Sequence, residues 1–214
     1  MSKLLKVVLL GCLSMQAAWA SEAKLEKMNV ATDKPSLARG AEDLMNDCHS
    51  CHSLKYINYR DLLSLGVDKQ KVDGWRGDAP LDSPLMSQMS EADDMATFAK
   101  VPPDLSLMAR ARDGGSNYVY SYLIGYYTGP DGVTGNHIFP ETKMPDPLGI
   151  SGATDAAQRS GMQDTAKSIV SFLSWASDPH ESDRIRLGYY VLGYLFVLTT
   201  LLYFLKKQIW SRLK

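Results

Sequence analysis

Nineteen consecutive residues near the C-terminus, Leu187 to Leu205 (LGYYVLGYLFVLTTLLYFL), carry no charged side chain. At about 1.5 Å per helical residue such a run matches the hydrocarbon thickness of a bilayer, and it is long for a buried core helix, the competing reading. Arg184 and Arg186 precede it, and Lys206, Lys207, Arg212 and Lys214 follow. The larger cationic cluster on the far side places the tail in the cytoplasm. Tyr189, Tyr190, Tyr203 and Trp210 lie near the two ends, where interfacial aromatics belong. The pattern predicts one transmembrane anchor over residues 184–207 and a cytoplasmic tail over 208–214.

The opposite end is apolar in a different way. Lys3 and Lys6 form a basic start, Val7 to Met15 an apolar stretch too short to span, and Ala18-Trp19-Ala20 a small-residue cleavage signal. This is the layout of a secretory signal peptide over residues 1–20. The Leu9 to Cys12 segment also suggests lipoprotein processing, a weaker reading because few apolar residues would precede the cut. Export and a tail anchor agree: residues 21–183 work outside the cytoplasm, in the periplasm of a bacterium, tethered to the inner membrane.

Hydrophobic residues make up 45% of the chain, so that body can build a core, and a net charge of −1 argues against nucleic acid as a partner. Loss of the signal peptide removes Cys12 and leaves two cysteines, both in Asp47-Cys48-His49-Ser50-Cys51-His52. A thioredoxin-like redox pair would need a βαβ pattern around it, and none is visible. Structural zinc needs four ligands, whereas His137 and His180 are single and distant. A Cys48–Cys51 disulfide would close a loop too small to stabilise much. C-x-x-C-H in an oxidising compartment fits covalent attachment of a c-type haem. Two thioether bonds would pin the porphyrin edge and leave His52 placed to ligate the iron; His49 is then the variable residue of the motif.

The second axial position separates an electron carrier from a catalyst, because methionine opposite histidine closes the iron and raises its potential. Met86, Met89 and Met95 lie in a polar, loop-like region, and Met108 and Met162 look like packing residues. Met144 differs: Pro140, Pro145 and Pro147 hold its segment out of helix, which suits presenting one side chain at a fixed distance. His137 is the rival ligand nearby.

From Ser36 onward the chain resembles the cytochrome c1 family, the haem subunits of ubiquinol–cytochrome c reductase (cytochrome bc1) complexes. Four segments carry the resemblance in order: SLARGAEDLMNDCHSCHSLKYINYRDL, VPPDLSLMARARDGGSNYVYSYLIGYY, FPETKMPDPL and SIVSFLSWASDPHESDRIRLGYYVLGYLF. The resemblance implies one covalent haem c per chain, with Cys48 and Cys51 as attachment points. It implies His52 and Met144 as axial ligands to the iron, Arg112 beside a haem propionate, and Tyr118 in the same pocket. A guanidinium suits that place because it can pair bidentately with a carboxylate. Pro102 and Pro103 would line the proximal side, where a backbone carbonyl orients the His52 ring. Thr142 and Lys143 stand where the family often has small apolar residues, and no cysteine remains for the disulfide that some relatives have.

The implied function is electron relay in the respiratory chain, with catalysis belonging to the complex as a whole. A Rieske iron–sulfur protein would reduce the haem, a soluble or membrane-tethered cytochrome c would oxidise it, and the anchor would pack in lipid beside cytochrome b in a dimeric complex. A tail-anchored cytochrome serving another oxidase or reductase, and a haem enzyme with an open sixth position, are the alternatives. Glu91, Asp93 and Asp94 read as a solvated acidic cluster, or as a surface that steers a basic cytochrome c.

The expected fold is mainly α: a loop-rich class I c-type cytochrome domain with a single C-terminal transmembrane helix. Ser36 is the expected cap of a first helix burying Leu37, Ala41 and Leu44, and Asp164 of a second burying Ile169, Phe172 and Leu173. The two should cross near the haem. The stretch from Trp75 to Ala99 reads as a loop.

Overall fold

The computed structural model describes residues 24–212; the expected signal peptide lies outside them. Helix α1 spans Lys34–Asp47, with Pro35 in its first turn, where a missing N–H leaves no bond unmade. Its cap is Asp33, whose carboxylate accepts from the Ser36 amide at 3.0 Å. Ser36, the expected cap, is the residue being capped: proline's fixed φ already suits the helix, so the non-helical cap falls upstream of it.

Segment 54–98 forms a lobe beside the motif. It contains β1 (Leu54–Asn58), α2 (Tyr59–Leu65), α3 (Lys69–Arg76), β2 (Pro84–Leu85) and α4 (Glu91–Phe98). Strands β1 and β2 pair antiparallel, Leu54 opposite Leu85, and Ser90 caps α4 by accepting from the Asp93 amide at 3.2 Å. The stretch read as a loop therefore holds a strand and a helix. Both are too short for a periodic pattern to reveal. Asp94 is buried at 2% exposure, so it does not belong to a solvated acidic face.

The chain continues through α5 (Met108–Ala111), α6 (Gly115–Ile124), the hairpin β3 (Tyr126–Thr128) and β4 (Thr134–Asn136), and a 3-10 turn at Ile150–Gly152. Helix α7 (Ala156–Ala176) begins at Asp155, whose side chain accepts from the Gln158 amide at 2.8 Å. Asp164, the expected cap, sits within α7 and pairs with Lys167 at 2.9 Å. The apolar stripe starts only near Ala166, so the exposed first turns of the helix carried no hydrophobic signal.

Helices α1 and α7 cross in close contact. A Cβ placed on Gly40 would fall 2.0 Å from the Ser168 carbonyl oxygen and 3.0 Å from the Phe172 Cβ, so only glycine admits this approach. Leu37, Ala41 and Leu44 pack in one core with Ile169, Val170, Phe172 and Leu173. Before α1, the extended segment is tied to α6 and α7. Glu26 N–H donates to Ser121 Oγ at 2.7 Å, Met28 N–H to Asn117 Oδ1 at 3.0 Å, and Ala31 N–H to Ser171 Oγ at 3.1 Å.

Four residues after α7, helix α8 runs unbroken over Glu181–Ser211 with no buried side chain. Its 31 residues and apolar composition are sufficient to cross a membrane. At the junction Asp178 accepts from Arg184 at 2.7 Å and from Arg110, on α5, at 3.2 Å. These pairs tie the start of the anchor to the body.

Gly40→Ala should force α1 and α7 apart. We expect a loss of about 1–3 kcal/mol, typical of overpacking, seen as a thermal unfolding midpoint several degrees lower by circular dichroism. An unchanged midpoint would mean that the crossing relaxes freely.

Candidate haem site

The Cys48–His52 segment continues the last turn of α1. Cys48 closes the helix, its N–H donating to Leu44 O at 2.9 Å, and the His52 amide donates to Cys48 O at 2.9 Å. Both thiols are free. Burial, with the nearby Asp47 adding to it, pushes the Cys48 thiol up to about 12. A reactive redox pair needs the opposite, a thiolate favoured by its surroundings. Among the described residues no group of three or more His, Cys, Asp or Glu side chains converges as a metal cage, which leaves the zinc reading without support.

His52 is buried, and its Nδ1–H donates to the Pro103 carbonyl at 2.7 Å. Burial lowers its pKa, so the ring is neutral, and the bond to Pro103 assigns the proton to Nδ1. Nε2 is left with its lone pair, the donor an axial ligand requires. The Pro-Pro-Asp-Leu-Ser element is a strap built around this bond. Asp104 accepts from the Lys55 amide at 2.9 Å and from the Ser106 amide at 2.9 Å. Leu105 N–H donates to Ser53 O at 2.9 Å, and Tyr56 N–H to Ser106 Oγ at 3.1 Å. Three of these bonds hold the chain just after His52, to Ser53, Lys55 and Tyr56, and restrain the strap that carries the Pro103 carbonyl.

Met144 is half-buried and packs against the core that contains Cys48. Its loop is held by hydroxyl groups that the sequence reading missed. Tyr126 O–H donates to Met144 O at 3.1 Å, and Thr142 Oγ1 accepts from the Met144 amide at 3.2 Å. Tyr122 OH pairs with the Thr142 hydroxyl and lies within hydrogen-bond distance of Tyr126 OH, 3.1 Å away. Burial, then the contact with Tyr122, raises the Tyr126 pKa and keeps that hydroxyl a neutral donor. Fully buried Asn136 completes the support: its Nδ2 donates to Tyr122 O at 2.8 Å while its Oδ1 accepts from the Ile138 amide at 2.9 Å. Tyr122 and Tyr126 are four residues apart across the end of α6. That spacing was legible, but nothing in the sequence said what the hydroxyls would face.

The remaining candidates are placed as follows. Arg112, just past α5, is exposed; Tyr118, on α6, is half-buried, stacks on Tyr122 at 6.4 Å and packs against the same core. His137, the rival to Met144, is exposed and stacks on Tyr127 at 4.2 Å. His49, the variable residue of the motif, is 2% exposed, and neither ring nitrogen has a partner among the described residues. The donor set fits a covalent haem c: two free thiols at the required spacing, an oriented neutral imidazole and a restrained methionine.

A family model described as the Cytochrome C1 family matches residues 19–83 and 75–213. The cytochrome c1 of Allochromatium vinosum is 35% identical, over 87% of this chain and 88% of its own length. A cytochrome b/c1 of Bradyrhizobium diazoefficiens is 29% identical over 84% of this chain, which spans 33% of that longer protein. Among solved structures, a chain of a hyperthermophilic respiratory Complex III has the same fold, with a TM-score of 0.52, 20% identity and 99% of each chain covered.

Tyr126→Phe should loosen the Met144 loop by leaving a backbone carbonyl unpaired. Hydrogen exchange across residues 140–148 is expected to accelerate roughly 5- to 150-fold, equivalent to about 1–3 kcal/mol. Exchange at the wild-type rate would mean that the hydroxyl does not hold the loop.

Proposed function

The chain belongs to the cytochrome c1 family, and from that premise we propose that it is the electron-transfer haem subunit of a cytochrome bc1 complex, carrying electrons from a Rieske iron–sulfur protein to a cytochrome c. A covalently bound haem c supplies the one-electron chemistry; the side chains attach it, set its ligand field and keep other ligands away. Cys48 and Cys51 would hold the haem through thioether sulfurs, and His52 Nε2 and Met144 Sδ would ligate its iron. The observation that carries this reading is the His52–Pro103 bond: it fixes one tautomer on the residue that the C-x-x-C-H spacing assigns to the iron.

With His52 and Met144 both holding the iron, no position would be left for substrate, which is what a relay requires. Arg112 would pair with a haem propionate, and Tyr118 would face the same group. The anchor spans a bacterial cytoplasmic membrane with the body in the periplasm and the tail in the cytoplasm, packed beside cytochrome b in a dimeric complex. The Bradyrhizobium relative's joint name, cytochrome b/c1, supports cytochrome b as the neighbour. A tail-anchored cytochrome serving another oxidase is less favoured, because the Pro-Pro-Asp-Leu-Ser strap and the methionine loop follow the pattern of this family.

Met144→Leu tests the ligation. The reduced wild-type protein should keep a low-spin c-type spectrum under carbon monoxide, while the variant should bind carbon monoxide and show a lower midpoint potential. Carbon monoxide binding by the wild type would mean an open iron and would replace the relay reading with a catalytic or gas-binding one.

A further inference from the structure

The antiparallel pairing of β1 with β2 does not stop at the strand ends. Leu54 and Leu85 stand opposite each other, and both are fully buried. Four residues before Leu54 is Ser50, and four after Leu85 is Met89. The Met89 amide donates to Ser50 O at 3.2 Å, so the two chains keep one register back into the Cys48–His52 turn. Between these points the Ser87 amide donates to Ser53 Oγ at 2.8 Å. Ser87 Oγ in turn donates to Met89 O at 3.2 Å, and Ser90 then caps α4 and ends the extended run.

Ser53 is thereby held twice. Its carbonyl accepts from Leu105 of the strap at 2.9 Å, its hydroxyl accepts from Ser87 of the lobe, and it is buried. It directly follows His52, so both bonds restrain the backbone that carries the imidazole. Beside it, half-buried Met89 places its sulfur 3.7 Å from Cys51 Sγ. A thioether is a polarisable, apolar cover for that sulfur. The relay reading uses the strap and the methionine loop and gives this lobe no part.

We propose that the lobe over residues 54–98 closes as a clamp on the haem-attachment turn, with Ser53 and Met89 as positioning residues for the electron relay. This rests on the reading of Cys51 and His52 as haem-bearing residues. The bond to Pro103 fixes the His52 tautomer, but one bond at Nδ1 leaves the ring able to pivot unless its backbone is also held. Ser53 supplies that hold, and Met89 keeps water from the Cys51 attachment. Hydrogen bonding behind a ligand and exposure of the cofactor to solvent both act on its potential. The oxidised iron site carries one more positive charge than the reduced one, so excluding water holds the potential up.

The test is low-temperature electron paramagnetic resonance of the ferric haem, with a redox titration, on the full-length haem-loaded chain in detergent. Ser53→Ala should shift and broaden the low-field signal, because the His52 ring takes a spread of orientations. It should also lower the midpoint potential, with the ferric–ferrous equilibrium moved roughly 2- to 10-fold, the worth of one hydrogen bond. Ser53→Thr, which keeps the hydroxyl, should restore both. Met89→Ala should lower the potential by admitting water, while Met89→Leu should hold it near the wild-type value. Gln88→Ala, at an exposed residue between the two contacts, should change neither. A Ser53→Ala protein that melts earlier yet keeps the wild-type signal and potential would make the bond purely structural and overturn the proposal. Equal shifts from Gln88→Ala would do the same. Should Ser53→Ala load no haem, Met89→Ala decides alone, and an unchanged potential there overturns the clamp. A wild type without a low-spin ferric signal would instead sink the ligation reading, so the two failures are distinguishable.

Discussion

The close passage of α1 over α7 at Gly40 is the contact on which the rest of the molecule depends. It sets the direction of α1, and α1 ends in the Cys48–His52 turn, so the crossing decides where the thiols and the imidazole stand. The same helix α7 leads, four residues later, into the anchor. A side chain at residue 40 would displace both ends of this arrangement. The adjacent Ser168 hydroxyl, bonded to the Asp43 carboxylate, adds a polar lock beside the glycine.

Two irregular segments then do what regular structure cannot. A helix or strand uses its own amides and carbonyls in its ladder, so it has few to spend on a neighbouring ring. The Pro-Pro-Asp-Leu-Ser strap has no ladder to satisfy: proline lacks the N–H, and Asp104, Leu105 and Ser106 bond to Lys55, Ser53 and Tyr56. Its Pro103 carbonyl is free for His52. The Met144 loop follows the same logic with side-chain hydroxyls, as Thr142 and Tyr126 bond the amide and carbonyl of Met144 itself. In a protein without a spare cysteine pair, hydrogen bonds supply the restraint that a disulfide would give.

The anchor joins the body through charges and not through packing. Asp178, mostly buried, accepts from both Arg110 and Arg184. Exposed ion pairs contribute little one at a time, but here a single carboxylate joins α5, the α7–α8 connection and the first turn of α8. Arg110 lies two residues before Arg112, so one short segment carries both an ion pair to the anchor junction and the proposed propionate arginine.

Much of this was legible in the residues alone. Spacing and compartment pointed Cys48, Cys51 and His52 to haem, the prolines set Met144 apart, and nineteen uncharged residues announced the anchor, because each is a local pattern with a local physical meaning. The helix caps were misread for equally local reasons: Pro35 moved one upstream, and an exposed first half of α7 hid the other. What only the tertiary structure decided was which groups meet. It brought the Tyr122 and Tyr126 hydroxyls to the methionine loop, turned the Pro103 carbonyl to His52 and drew Asp94 out of a solvated cluster into the core. Hydrogen-bond partners and burial depend on approach in space between residues far apart in the chain, and no spacing along a sequence encodes that.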